Sequence, residues 1–250
     1  MVIKDNRVKT PHGNTILWKY MSLEKFIDLL ISNELYFTNA SKLTDKYEGM
    51  IPLKSYDSYR KELIQQNLSE EEIQERISVL TYSAQTFRDL TLVSCWTMNR
   101  FESYALWKIY LSGSKGGVAI RTTASKIKEA IKNGGETYDE DIFFGIIEYS
   151  DFLEDPNSRF QWITRKTRFY DYEKEARLFI FHYPKSEGGG NPPYKISNGR
   201  RFKVDLNLLL DKIYLSPFTA EWFAKSFNEA IERLRPDLVE RIQQSEILDD

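Results

Sequence analysis

Residues 17–49, LWKYMSLEKFIDLLISNELYFTNASKLTDKYEG, set the pattern from which the fold is read. The apolar run Ile16 to Tyr20 reads as a short strand. Ser22 stands as an N-cap, with Glu24 in the first helical turn, where an acid meets the positive end of the helix dipole. Leu23, Phe26, Ile27 and Leu30 recur at i, i+3, i+4 and i+7, one apolar stripe of a helix that Asn33 stops. Leu35 to Thr38 reads as the next strand.

The rest of the chain does not repeat this unit. Lys54 to Gln85 is charged and helical in period, with Ser69 and Glu72 spaced as a capping box before Ile73, Ile77 and Leu80. Leu90 to Trp96 is an apolar strand, and Glu102 to Leu111 a helix carrying Tyr104, Trp107 and Tyr110. Gly116 and Gly117 turn the chain into strand Val118 to Thr122, and Ile127 and Ile131 mark a short helix closed by Gly134 and Gly135. Further strands are read at Ile142 to Tyr149, Ala176 to Tyr183, Arg201 to Leu206 and Ile213 to Ser216, with an exposed loop at Gly188 to Pro193. Thr219 to Leu234 is an amphipathic helix before Pro236, and the acidic end, Glu246 to Asp250, reads as frayed.

Roughly seven or eight strands mixed with helices, without regular alternation, predict an α+β domain around a mainly antiparallel mixed sheet flanked by helices. At 250 residues the chain reads as one domain, residues 1–250, with a helical insertion at about 54–86 and a C-terminal helix at about 219–250. The insertion offers a surface on which a partner protein could dock.

Composition narrows the function classes. No segment approaches the roughly 20 apolar residues that span a bilayer, so no membrane partner is expected. Met1 to His12 lacks the apolar core of a secretory signal, and the single Cys95 rules out an internal disulfide framework, which points to the cytoplasm. A formal net charge of -2 gives the molecule as a whole no drive toward polyanions. Arg159, Arg165, Lys166 and Arg168, with Arg200 and Arg201, read as solvated basic faces. One cysteine and two histidines, His12 and His182, leave no structural zinc site and no nucleophile elbow. His182 reads as a packed or half-exposed side chain, and GSKGG at Gly113 to Gly117 precedes a strand, so it reads as a turn rather than a phosphate cradle.

Three groups of residues can carry chemistry. Lys19 and Tyr20 end a strand, and the loop after Phe37 carries Asp45 and Glu48, which can accept hydrogen bonds from sugar hydroxyls. Ser94, Trp96, Ser103 and Trp107 set hydroxyls and indoles along a strand, its loop and the next helix, where they form either core or the wall of a pocket for a flat ring. In FYDYEKEARLFIF, residues 169–181, Glu173, Glu175 and Arg177 fall at i, i+2 and i+4 where a strand begins, so period two predicts one shared face. There one carboxylate can orient a ribose hydroxyl, while Arg177 clamps phosphate or holds the second carboxylate.

LWKYMSLEKF, LYFTNASKLTDKYEG, SCWTMNRFESYALWKIY, KGGVAI and YEKEARLF, in this order across Leu17 to Phe181, resemble the successive motifs of the bacterial domain-of-unknown-function family 2971. Where that family shows Asn-Asp-Pro, this chain has Leu43-Thr44-Asp45, so Asp45 alone carries over. The family's layout is similar to that of ADP-ribosyltransferases of the DNA-modifying toxin type. The resemblance implies an NAD-dependent enzyme of antiphage defence or a toxin, with a nucleic-acid or protein acceptor. It implies Glu175 as the catalytic group beside Glu173, Tyr20 and Trp107 at the nicotinamide, Arg177 at the pyrophosphate, and Lys19, Asp45, Glu48 and Ser103 as further cofactor contacts. No metal is part of that site. Two rivals stand beside it: a metal-dependent nuclease using Asp45, Glu48, Glu173 and Glu175 as Mg²⁺ ligands, and a non-catalytic module that senses a nucleotide or protein.

Overall fold

The computed structural model describes residues 2–43, 45, 48, 53–113, 116–134, 141–150, 159–181 and 198–247. After β1 (Val2–Ile3), the opening unit forms as β2 (Ile16–Ser22), α1 (Leu23–Ser32) and β3 (Glu34–Asn39). Asn33 ends α1 in the left-handed conformation (φ 55°), its N–H donating to the Leu29 carbonyl. Ser22 takes the N-cap position but makes no side-chain capping bond. The insertion is a hairpin of α2 (Leu53–Gln65) and α3 (Glu70–Asp89), and the Ser69–Glu72 capping box is present. β4 (Thr91–Thr97), α4 (Tyr104–Leu111), β5 (Gly117–Thr123), α5 (Ala124–Lys132) and β6 (Ile142–Ile146) follow. Then come β7 (Glu148–Ser150), α6 (Arg159–Thr164), β8 (Arg165–Thr167), β9 (Glu175–Phe181), β10 (Gly199–Lys203), α7 (Leu206–Leu209), β11 (Lys212–Leu215), α8 (Glu221–Leu234) and β12 (Ile242–Gln244). His182, Tyr183, the Gly188 to Pro193 loop, Gly135 and Thr44 lie outside the described residues.

The fold is α+β. One ten-stranded mixed sheet runs β1-β6-β9-β4-β2-β5-β11-β12, with β3 pairing β4 and β10 pairing β3, and β7 and β8 form a separate parallel pair. The large sheet is antiparallel except at its two edges, where β1 pairs β6 and β12 pairs β11 in parallel. The strands that sequence reading misses, β1, β8 and β12, have two or three residues each, too few for periodicity to show, and the single strand read at Ile142 to Tyr149 divides into β6 and β7.

At its C-terminus the chain departs from the expected helix over 219–250. α8 stops at Leu234, Pro236 opens a 3-10 turn, and the chain returns as β12. Glu246 is not frayed: its backbone N–H donates to Glu102 Oε1 at 2.6 Å, beside a Ser245 Oγ to Glu102 Oε2 bond of 2.7 Å.

β4 positions the site. Along one edge β9 pairs all of it, from Thr91↔Phe181 to Thr97↔Glu175. The other edge is shared: β3 takes Leu92 and Val93, while β2 meets it only at Trp18↔Thr97. Lys19 closes the gap between β2 and β4, its amine donating to Ser94 Oγ at 3.2 Å and to the Cys95 carbonyl at 3.0 Å, which would otherwise lack a ladder partner.

One face of the sheet buries Leu17, Ile120, Trp96, Leu178 and Phe144 under α1, α5 and α8, forming the main core. The other face carries two separate aromatic clusters. Val93, Phe143 and Phe179 pack on Phe87 of α3 and on Phe160 and Ile163 of α6. Trp18, Tyr20, Ala119 and Tyr214 pack on Leu106, Trp107 and Leu111 of α4. Register places Cys95 beside Arg177, and Thr97 beside Glu175, between the two clusters.

Gly145 lies on the far side of Arg177 in the register, and a Cβ there would meet Val8 Cγ1 at 2.8 Å and Thr164 Cγ2 at 3.0 Å. The missing side chain lets α6 sit close enough for the Ile163 carbonyl to accept from Arg177 Nη1 at 3.0 Å. Gly145→Ala is therefore expected to destabilise the domain by about 1–3 kcal/mol, the usual cost of overpacking. Urea unfolding checks this, and unchanged stability would mean α6 is free to shift.

Candidate functional site

Five charged side chains meet between the aromatic clusters. Arg177 is 1% exposed and every nitrogen of its guanidinium is engaged: Nε with Glu175 Oε1 at 2.5 Å, Nη2 with Glu175 Oε2 at 2.8 Å and Glu48 Oε2 at 2.9 Å, and Nη1 with the Ile163 carbonyl. Lys166 Nζ lies 2.6 Å from Glu48 Oε1, 2.7 Å from Glu173 Oε2 and 3.7 Å from Glu175 Oε2. Among the described residues, three carboxylates thus contact two cations, and Arg88, lowered by burial, stands close enough to Glu48 for that carboxylate to raise its guanidinium in part. Glu48, Lys166, Glu175 and Arg177 are buried, while the Glu173 side chain keeps 14% exposure and forms the open end of the cluster.

The two carboxylates of β9 and its approach are electrostatically unlike. Burial pushes the Glu175 carboxyl up, but the charge and hydrogen bonds of Arg177, with the charge of Lys166, overcome it and hold Glu175 down to about 2. Burial raises Glu173 above its ordinary value, and the Lys166 hydrogen bond offsets this only in part. Burial alone would lower the Lys166 amine, yet Glu175 and Glu48 raise it, so it stays charged. The Cys95 thiol is pushed up by burial and then by Glu175, so it is a neutral thiol rather than a nucleophile.

The expected shared face of Glu173, Glu175 and Arg177 forms by a different route. Residues 168–173 are a 3-10 turn, and Lys174 is left-handed (φ 42°), so period two fails before Glu175. Lys166, on the neighbouring β8, pulls Glu173 back to the cluster, and the Tyr149 hydroxyl accepts from the Glu175 N–H at 2.8 Å to fix the start of β9. Reading Lys166 as part of a solvated basic face is thereby corrected. No signal in the sequence marked Lys166 for this role, because the convergence of Glu48 on Glu175 and Arg177, which calls for a second buried cation, exists only in the fold.

Tyr20, Ser103 and Trp107 come together on the other side of the gap. The Tyr20 hydroxyl accepts from the Ser103 N–H at 2.8 Å, and the Tyr20 ring meets Trp107 edge-on at 4.9 Å and stacks with Tyr110 at 6.1 Å. Ser103 serves as N-cap of α4, its Oγ accepting from the Leu106 N–H. Trp107 is wholly buried, with Nε1 donating to Glu102 Oε2 at 2.8 Å, so it backs Tyr20 rather than facing a ligand. Trp96 belongs to the main core. Tyr110, unremarked from sequence as a site residue, is partly exposed and stacks with Tyr20, and its phenol is raised by burial first and then by Cys95, Glu175 and Glu173. Asp45 stands near Tyr170, whose phenol it raises, and Tyr170 lies under the Lys166 amine at 4.5 Å. Lys19 stands apart, in the β2–β4 gap.

Among the described residues no group of three or more His, Cys, Asp or Glu side chains is arranged to hold a metal ion. Of the four carboxylates that a nuclease would use, Glu48, Glu173 and Glu175 converge instead on the Lys166 ammonium. Among the described residues no helix is long and apolar enough to cross a membrane. Set against protein-family models, curated proteins and solved structures, the chain matches none of them.

Proposed function

We propose that the chain is an NAD-dependent ADP-ribosyltransferase-like enzyme of bacterial antiphage defence, or a toxin, that opens the nicotinamide–ribose bond in the cytoplasm. The observation that carries this reading is the carboxylate cluster: Glu48, Glu173 and Glu175 held by Arg177 and Lys166 and open at Glu173, with Tyr110, which stacks on Tyr20, near enough for Glu175 and Glu173 to add to the effect of burial in raising its phenol. Such a surface is complementary to a flat pyridinium cation and to the oxocarbenium character of the ribose as the bond opens.

The bond from ribose C1′ to the nicotinamide nitrogen breaks, and its electron pair leaves with neutral nicotinamide. A hydroxyl or amine of the acceptor, or water, attacks C1′, and its proton passes to Glu173. A carboxylate whose affinity for protons is raised suits that role. Glu175, locked on Arg177, supplies fixed negative charge. The resemblance implies Glu175 as the catalytic group beside Glu173; here Glu173 takes the proton, and Glu175 acts through its fixed charge.

The test is to incubate purified protein with NAD, with and without DNA, RNA or lysate, and to follow free nicotinamide. Release is the expected result. Its absence under all conditions, together with metal-dependent cutting of nucleic acid, would replace this reading by the nuclease. Saturable NAD binding without release would replace it by a sensing module.

A further inference from the structure

Lys166 carries more than charge compensation. Its backbone lies on β8, paired with β7 at Tyr149↔Lys166, so its position is fixed independently of the turn that holds Glu173. Of the three carboxylates it meets, Glu48 and Glu175 are also held by Arg177, whereas Lys166 is the cation that reaches Glu173 at the open end. The ammonium also lies over the Tyr170 ring at 4.5 Å, so an aromatic face covers part of it.

We propose that Lys166 is a positioning residue that holds the Glu173 carboxylate at the mouth of the site by tying it to the pair that Arg177 fixes. The groups facing this ammonium are Glu48 from the loop before α2, Tyr149 from β7, Tyr170, Tyr172 and Glu173 from the 3-10 turn, and Glu175 and Arg177 from β9. As a catalytic device the assignment rests on the NAD reading. As a statement about Glu173 it does not.

The sign of the effect follows from the site. Burial raises Glu173 and Lys166 lowers it, so removing the ammonium must send Glu173 to still higher pH and leave less of it ionised near neutrality. In Lys166→Met the Glu173 titration, followed by the NMR signal of ¹³C-labelled glutamate carboxyls and assigned with Glu173→Gln, is expected to move to higher pH. The acid limb of kcat/KM for nicotinamide release is expected to move with it. The loss at pH 7 is expected to be about 10- to 100-fold, as for other groups that orient a catalytic side chain. Lys166→Arg keeps the charge and should bring both curves back toward wild type. Should Lys166→Met fail to fold, the double variant Glu48→Gln with Lys166→Met restores the charge balance and serves the same titration. A Glu173 titration at the wild-type pH in the variants that carry Lys166→Met would overturn the proposal, whatever the activity. A protein that releases no nicotinamide but shows the shifted titration would sink the NAD reading and leave Lys166 as the holder of Glu173.

Discussion

Arg177→Met is expected to cost the fold about 3–5 kcal/mol, the usual penalty for removing one partner of a buried ion pair. For a chain of this size that is a fall of roughly 6–20 °C in the melting temperature. The guanidinium is fully enclosed and bonded to Glu175, Glu48 and the Ile163 carbonyl, so its loss leaves two buried carboxylates with Lys166 alone and one carbonyl unpaired. Methionine fills much of the volume, so a cavity contributes little. The pH dependence separates this account from simple mispacking. In the wild type Glu175 is depressed from 4.5 to about 2, so its contribution is fully present above pH 4.5 and is lost as pH falls toward 2. That depression is worth about 3 kcal/mol at neutral pH. Without Arg177 burial dominates and Glu175 rises above its ordinary value. Its ionisation then opposes folding, and the variant should lose stability as pH rises through the new value. Urea unfolding between pH 3 and pH 7 would show the wild type gaining stability over that interval and the variant gaining less or losing. Two parallel curves would mean that Arg177 packs but does not hold Glu175.

How much of this was legible follows from what each signal depends on. Elements long enough to show a period, such as α1, α3, β4, β5 and β9, stand close to where their residues place them. β7, β8 and β12 are made by pairing with a neighbour rather than by their own pattern, and β8 is what carries Lys166 into the site. The shared face of Glu175 and Arg177 was readable from spacing, whereas Glu173 reaches them through a turn that spacing did not show. Glu48 was readable as an acidic loop residue but not as a buried partner of Arg177, because that contact joins positions 129 residues apart. Trp107 could be core or pocket wall on sequence alone, and only its enclosure and its bond to Glu102 decide for core. The end of α8 was already marked by Pro236, a stronger stop than the acidic tail beyond it is a signal to continue.

Glu173→Gln is expected to lower nicotinamide release by about 100- to 10,000-fold, the range for loss of a general base, while changing stability by no more than about 1 kcal/mol, the net worth of one hydrogen bond. The separation of the two effects follows from where Glu173 stands. It lies at the exposed end of the cluster, and Lys166 keeps Glu48 and Glu175 as partners when it is gone. Because burial raises its carboxyl, ionising Glu173 already works against the fold above that raised value, and an amide is relieved of the cost. Glu175→Gln is expected to behave in the opposite way. It weakens the bidentate hold on Arg177 and should lower the melting temperature together with activity, so loss of turnover in that variant alone does not identify a base. Measuring nicotinamide release and thermal unfolding on both variants therefore assigns the roles. A Glu173→Gln protein with wild-type turnover would sink the assignment of the base. A Glu175→Gln protein that keeps wild-type stability and loses all turnover would return the role to Glu175, and would require its carboxylate to leave Arg177 during the reaction.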